Sequence, residues 1–263
     1  MVANTANRPL ALILGGSTGL GAATAKKLAK EGFDLLIVHR DRRSDRPIID
    51  ALADAIVQEG GGQCFWYNVD AVNPAKRNDL WNAIKAKIGE KKIKVLVHSI
   101  AKGNLKSMTG KSDTLNNQDF QLTLQAMALS LFDWVKLIAD NRYFEPDACV
   151  VAFTSEGSQK PFTGYAAVSA AKSTLEAIVR SIALEFAYQG IRANCIQAGV
   201  TDTRSLRMIP NHEVLLENAQ KRNPSNRLTT PEDVANAVYL LTLPEARWIT
   251  GTVLKVDGGE SLQ

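Results

Sequence analysis

A chain of 263 residues with 45% apolar and 22% charged side chains has the composition of an ordinary globular protein, which excludes disordered and fibrous classes. Its net charge of +4 comes without a Lys/Arg block or interleaved aromatics, which argues against a nucleic-acid partner and leaves an acidic or phosphorylated one permitted but not required. The three cysteines, Cys64, Cys149 and Cys195, are widely spaced in apolar runs and are expected as reduced core thiols in a reducing, cytoplasmic compartment.

The stretch 1–9 lacks the charged and apolar regions of a signal peptide. No segment reads as long enough to span a membrane, and no membrane contact is expected. From residue 10, short β-type runs alternate with longer helix-type stretches. Strands are expected at 10–14, 35–38, 64–67, 93–97, 149–153, 191–196 and 253–256. Helices are expected at 22–31, 48–58, 76–88, 120–139, 165–188 and 234–243. That rhythm predicts an α/β fold, a doubly wound Rossmann-type parallel sheet with helices on both faces, as a single domain over 1–263. Residues 200–230 interrupt it with Pro210, Pro224, Asn211, Asn223 and Asn226. They read as an irregular insertion after the sixth strand, placed to act as a substrate lid at the carboxyl edge of the sheet.

The first strand runs into Gly15-Gly16-Ser17-Thr18-Gly19-Leu20-Gly21 and then a helix. Glycines let the backbone turn sharply and approach a pyrophosphate, whose charge the free N–H groups and positive end of the helix attract. Gly15, Ser17, Thr18, Gly19, Leu20 and Gly21 are therefore expected to cradle a dinucleotide. The second strand ends in Arg40 about where an acid would hold the ribose 2′-hydroxyl of NAD. A guanidinium fork suits a phosphate instead, so NADPH is the expected cofactor, with NADH the alternative that the adjacent Asp41 keeps open.

With a Tyr and a Lys on one expected helix, Tyr165 and Lys172, and a closing Val256-Asp257-Gly258-Gly259, the chain resembles the short-chain dehydrogenase/reductase family along nearly its whole length. The resemblance implies that Lys172 holds the nicotinamide ribose while Tyr165 approaches the substrate oxygen. Most members space these residues four apart. Here they are seven apart, on one helix face about 10.5 Å along the axis, and the position four before Lys172 is Val168, which has no hydroxyl. The wider spacing resembles the enoyl-acyl-carrier-protein reductases, as do His98-Ser99-Ile100-Ala101 after the fourth strand and Ala198-Gly199 after the sixth.

The family likeness implies cofactor contacts from Asn68, Val69, Ser99, Ile100, Ala101, Gly199, Thr201 and Thr203, and substrate contacts from Ala101, Tyr165, Leu206 and Met208. Arg204 and Arg207 are candidates for a phosphopantetheine phosphate or an acidic carrier protein. Ser155 stands ten residues before Tyr165, where many enoyl reductases have a second tyrosine, and thirteen before Val168, where carbonyl-reducing relatives have a serine. It is kept as a third catalytic candidate. His98 has no carboxylate or Cys/His neighbour in sequence and reads as a structural hydrogen bonder, and no spacing suggests a metal site. The implied activity is NADPH-dependent reduction of a trans-2-enoyl thioester in fatty acid synthesis, on a small-molecule or carrier-protein-linked acyl group. A carbonyl reductase and a non-catalytic NADPH-binding sensor remain as alternatives. The stripe Leu175, Ile178, Val179, Ile182, Ala183 and Phe186 suits either the core or the interface of a homodimer or homotetramer.

Overall fold

The computed structural model describes residues 8–60, 62–111, 113–209 and 211–263; the expectations for residues 1–7 and for Pro210 lie outside it. The strands are β1 (Leu10–Leu14), β2 (Asp34–His39), β3 (Cys64–Asn68), β4 (Ile93–His98), β5 (Phe144–Thr154), β6 (Arg192–Ala198) and β7 (Val253–Val256). All pair in parallel, in the order β3-β2-β1-β4-β5-β6-β7. The central strands are near-continuous apolar runs because helices cover both faces. Alternation still sorts their side chains. Leu10, Leu12 and Leu14 join one core with Trp81 and Trp134, while Ala11 and Ile13 join the opposite core with Leu28 and Val238. Each fully buried Leu or Ile of these layers stabilises the fold by about 1.5–3 kcal/mol.

The helices are α1 (Gly19–Lys30), α2 (Arg46–Gly60), α3 (Pro74–Ile88), α4 (Asn117–Leu124), α5 (Ser130–Asp140), α6 (Ala166–Glu185), α7 (His212–Arg222) and α8 (Pro231–Thr242). Local chemistry sets several of their starts. Asn73 caps α3 by accepting from the Lys76 N–H, with Pro74 in the first turn. Thr230 and Asp233 form a reciprocal capping box at α8.

Three expectations are corrected. The helix expected at 120–139 is instead α4, a π-turn over Gln125–Leu129, and α5. The Ser130 hydroxyl donates back to the Ala126 carbonyl (2.8 Å) and lies 2.8 Å from His98 Nε2, so a strand-end histidine is bonded at the distorted turn. The continuous helical stretch Asn117–Asp140 is also long and apolar enough to cross a membrane by length and composition, contrary to the sequence reading. In the fold it is a core helix, with Leu131, Trp134, Val135 and Ile138 fully buried. Lastly, the segment 200–230 is not irregular throughout: it contains a 3-10 turn (Leu206–Met208) and α7. Asn211, Asn223, Pro224 and Asn226 flank α7 rather than interrupt it.

All three cysteines are unpaired, Cys149 and Cys195 fully buried and Cys64 half-buried. Burial pushes their thiols up, to about 11 for Cys149 and about 12 for Cys64 and Cys195.

Candidate active site

Strands β1 and β4 are neighbours although two strands, β2 and β3, lie between them in sequence, so the connections leaving them diverge to opposite sides. A cleft of about 460 Å³ opens there, beyond the carboxyl ends of the strands. The glycine loop forms its floor. Gly15 has φ +86°, and a Cβ there would lie 2.6 Å from the Ser99 carbonyl oxygen; a Cβ on Gly21 would lie 2.2 Å from the Gly15 carbonyl oxygen. Only a bare backbone permits this packing. Helix α1 starts inside the loop, and Thr18 at its N-cap makes no side-chain capping bond, so α1 meets the cleft with uncapped N–H groups. Thr203 approaches from the opposite wall, with its methyl 3.4 Å from where a Gly19 Cβ would stand. A cradle that excludes Cβ atoms and ends in an uncapped helix fits the diphosphate of a dinucleotide.

Of the cofactor contacts expected from sequence, Gly15, Ser17, Thr18, Gly19, Leu20, Arg40, Val69, Ser99, Ile100, Ala101, Lys172 and Thr203 all line this cleft. Others stand behind it. Gly21 packs under the loop, Gly199 faces Thr229 and Glu260, and the Thr201 hydroxyl donates to the Gly199 carbonyl (2.9 Å). Asn68 is tied to the Asp41 backbone by paired bonds of 3.2 and 3.1 Å and lines an adjoining cavity. Arg40, expected to await a phosphate, donates to Asp70 at 2.9 Å.

Lys172 is buried on α6, and its ammonium donates to the Phe153 carbonyl oxygen at 2.6 Å. Burial pushes its pKa down to about 8, against the raising influence of nearby Cys195 and Glu176. Burial, and secondarily the charge of Lys172, pushes His98 to about 3, which leaves that ring neutral at physiological pH. Tyr165 departs from the sequence expectation. It is the N-cap of α6 (φ −113°, ψ 2°), with its carbonyl accepting from the Ser169 N–H (2.8 Å), so only Lys172 is inside the helix. The phenol ring covers Gly157, where a Cβ would lie 2.5 Å from its Cε1, and meets Phe162 edge-on at 6.1 Å. Burial raises the phenol pKa, opposed by the neighbouring Ser155 hydroxyl, so the proton stays on the ring. Ser155 Oγ itself is buried without a well-formed hydrogen bond among the described residues. Val168 is 4% exposed, in an apolar cluster with Ala126, Met127 and Ala171.

The expected substrate contacts divide. Ala101 lines the cleft and Tyr165 stands at the start of α6, but Leu206 and Met208 do not line the cleft, and Met208 is 72% exposed. The chain passes the cleft at Thr203, Arg204 and Ser205 before the 3-10 turn carries it away. The two arginines expected to meet an anionic partner face carboxylates in the structure: Arg204 faces Asp45 (3.4 Å) and Asp41 (3.9 Å), and Arg207 forks onto Asp202 (2.8 Å). Sequence reasoning missed Asp70, Lys102, Phe153 and Thr154 as cleft residues. Reading the last residues of every strand as cleft-facing would have found Phe153 and Thr154.

Comparison with known proteins agrees with this geometry. The family model described as enoyl-(acyl carrier protein) reductase matches residues 15–261. A 1-cyclohexenylcarbonyl-CoA reductase of Streptomyces collinus is 28% identical over 257 residues, 97% of this chain and 88% of the relative. The enoyl-[acyl-carrier-protein] reductase [NADH] FabI of Bacillus subtilis is 30% identical over 190 residues, 72% of each chain. A 7alpha-hydroxysteroid dehydrogenase of Escherichia coli is similar at 24% over 95% of this chain, so the relatives include dehydrogenases. Among solved structures, an enoyl-[acyl-carrier-protein] reductase (NADH) from Aquifex aeolicus superposes with a TM-score of 0.83 at 25% identity, covering 97% of both chains. The fold is a nicotinamide-nucleotide-binding one and the protein is an oxidoreductase. With the glycine cradle, the strand order and a match over nearly the full length in agreement, this chain belongs to the short-chain dehydrogenase/reductase family, in its enoyl-acyl-carrier-protein reductase-like part.

Proposed function

We propose that the protein is an NADPH-dependent reductase of trans-2-enoyl thioesters, with Tyr165 and Lys172 as catalytic residues. The observation that carries this reading is Val168. The position that would hold a tyrosine at four-residue spacing is a buried valine in an apolar cluster, while the phenol seven residues before Lys172 is protonated and lies against Gly157. Bound NADPH would supply a hydride to the β-carbon of the enoyl group. Negative charge then develops on the thioester oxygen, and the Tyr165 O–H is the donor that meets it, a hydrogen bond stronger in the transition state than in the ground state. Lys172, tethered to the Phe153 carbonyl, presents its remaining N–H groups to the nicotinamide ribose. The uncapped start of α1 and the glycine cradle hold the diphosphate, and Arg40 is the residue for the 2′-phosphate.

In this reading residues 1–263 act as one domain, with 200–230 as a lid and Thr203 over the glycine loop. The protein acts in the cytoplasm as a homodimer or homotetramer on a free or carrier-linked acyl thioester. A second reading, carbonyl reduction, is favoured by the buried Ser155 hydroxyl beside Tyr165, which makes no well-formed hydrogen bond among the described residues and has the capacity to bond a substrate oxygen. One assay decides between them. NADPH oxidation is followed with a trans-2-enoyl thioester and with a 3-oxoacyl thioester, for the wild type and Tyr165→Phe. The enoyl substrate alone should be turned over, and the variant should lose roughly 100- to 1,000-fold in kcat. Turnover of the 3-oxo substrate alone would replace the first reading by the second.

A further inference from the structure

Arg40 and Asp70 stand just beyond the ends of adjacent strands, β2 and β3, and meet at the seam of two cavities. Both line the cleft described above, and both line a second cavity of about 830 Å³ bounded also by Tyr67, Lys76 and Leu80. Arg40 Nη1 donates to Asp70 Oδ2 at 2.9 Å, so the guanidinium that a 2′-phosphate would need already has an anionic partner. That partner is anchored. Asp70 Oδ1 accepts from the Val72 N–H at 3.1 Å, which ties the carboxylate to the turn after β3. Although partial burial works the other way, the Val72 N–H, Lys102 and Arg40 hold Asp70 below the usual carboxylate range, and it stays charged at neutral pH. Asp41, next to Arg40 in sequence, is engaged elsewhere: its Oδ2 bonds His39 Nδ1 at 2.9 Å.

We infer that Asp70 is a specificity-determining residue, a built-in competitor for Arg40 that weakens NADPH binding relative to NADH and sets the ratio between the two. A 2′-phosphate must compete with Asp70 for the guanidinium. NADH, with a hydroxyl in that place, needs no such exchange. The side chains of Arg40 and Asp70 are 58% and 24% exposed, so the competition is that of a solvent-screened pair and its effect is bounded. This inference deepens the nucleotide part of the proposed function and rests on it, but it is independent of the acyl substrate.

The test is a fluorescence titration of the purified full-length protein with NADPH and with NADH, without acyl substrate, for the wild type, Asp70→Asn, Arg40→Gln and the double variant. Asparagine keeps an oxygen for the Val72 N–H, so the turn is preserved. Asp70→Asn should tighten NADPH about three- to five-fold at low salt, leave NADH within about two-fold, and have no effect on NADPH in the Arg40→Gln background. High salt should shrink the difference. Weaker NADPH binding in Asp70→Asn would mean that the carboxylate positions Arg40 rather than competes for it. Equal tightening of both nucleotides, or an effect that survives Arg40→Gln, would likewise overturn the inference. If neither nucleotide binds the wild type, the nucleotide reading falls with it, whereas tight binding without enoyl turnover removes only the substrate reading.

Discussion

The glycine loop and the lid face each other across one cleft, yet they are held by opposite means. In the loop, backbone packs on backbone: the Gly15 N–H donates to the Val38 carbonyl at 2.8 Å, and Gly21 sits where any Cβ would overlap the Gly15 carbonyl. In the lid, side-chain ion pairs bind the segment to itself and to its surroundings. Arg207 pairs with Asp202, Arg204 reaches Asp45, and Arg222 at the end of α7 reaches Glu156 (3.2 Å) and Glu260 (2.7 Å). Steric contact between backbones has almost no give, whereas an exposed ion pair such as Arg207–Asp202 is screened and exchanges readily with water. The wall built on the glycine loop is therefore the rigid one, and the wall formed by residues 200–230 is the more adjustable one.

That contrast is broken most directly at Gly21. Gly21→Ala would place a methyl 2.2 Å from the Gly15 oxygen, a backbone atom that no side-chain rotation can move aside. Nucleotide affinity should fall by roughly two orders of magnitude, read by fluorescence titration alongside a thermal melt. Affinity within three-fold of wild type would show that the loop adjusts as freely as the lid.

A smaller effect sharpens the comparison at Lys172, the buried cation between the two walls. Its folded pKa of about 8 lies below the ordinary value of 10.5, so between these two pH values the unfolded chain holds a proton that the folded chain has released. Stability therefore rises with pH across that window and is unaffected by this group below it, where both states are charged. Relative to Lys172→Met, the wild type should gain roughly 3 kcal/mol between pH 7.5 and 10.5 in denaturant unfolding. A constant difference between the two proteins would refute the burial account. The smallest effect is expected in the lid itself. Arg207→Ala removes an exposed pair, and the melting temperature should stay within about 1 °C of wild type. A drop of several degrees would mean that the lid is held as firmly as the loop.

Much of this was legible in the sequence because it is local. The βαβ rhythm, the glycine cradle and the burial of β1, β2 and β4 follow from residue type and spacing along a short stretch. The pairing of Tyr165 with Lys172 was visible as a spacing, but the place of Tyr165 at the N-cap was not, since helical periodicity does not mark where the first helical dihedral occurs. The π-turn at Gln125–Leu129 escaped for a similar reason: it accompanies a bond from His98, 32 positions away from Ser130. The lid contacts were misplaced because apolar character in Leu206 and Met208 says only that they could be buried, not where the chain carries them.

The sequence by itself determined the parallel doubly wound sheet, the bare backbone at the phosphate end, and the absence of a hydroxyl at Val168, because each depends on the intrinsic geometry or chemistry of single residues. Only the tertiary structure decided that Arg40 meets Asp70, that Lys172 is buried beneath the cleft with its ammonium on the Phe153 carbonyl, and that the Ser155 hydroxyl is buried beside Tyr165. Those are relations between chain segments 10 to 30 residues apart, brought together by the stacking of strands and helices, and the free energy of each depends on burial and on partners that no local pattern specifies.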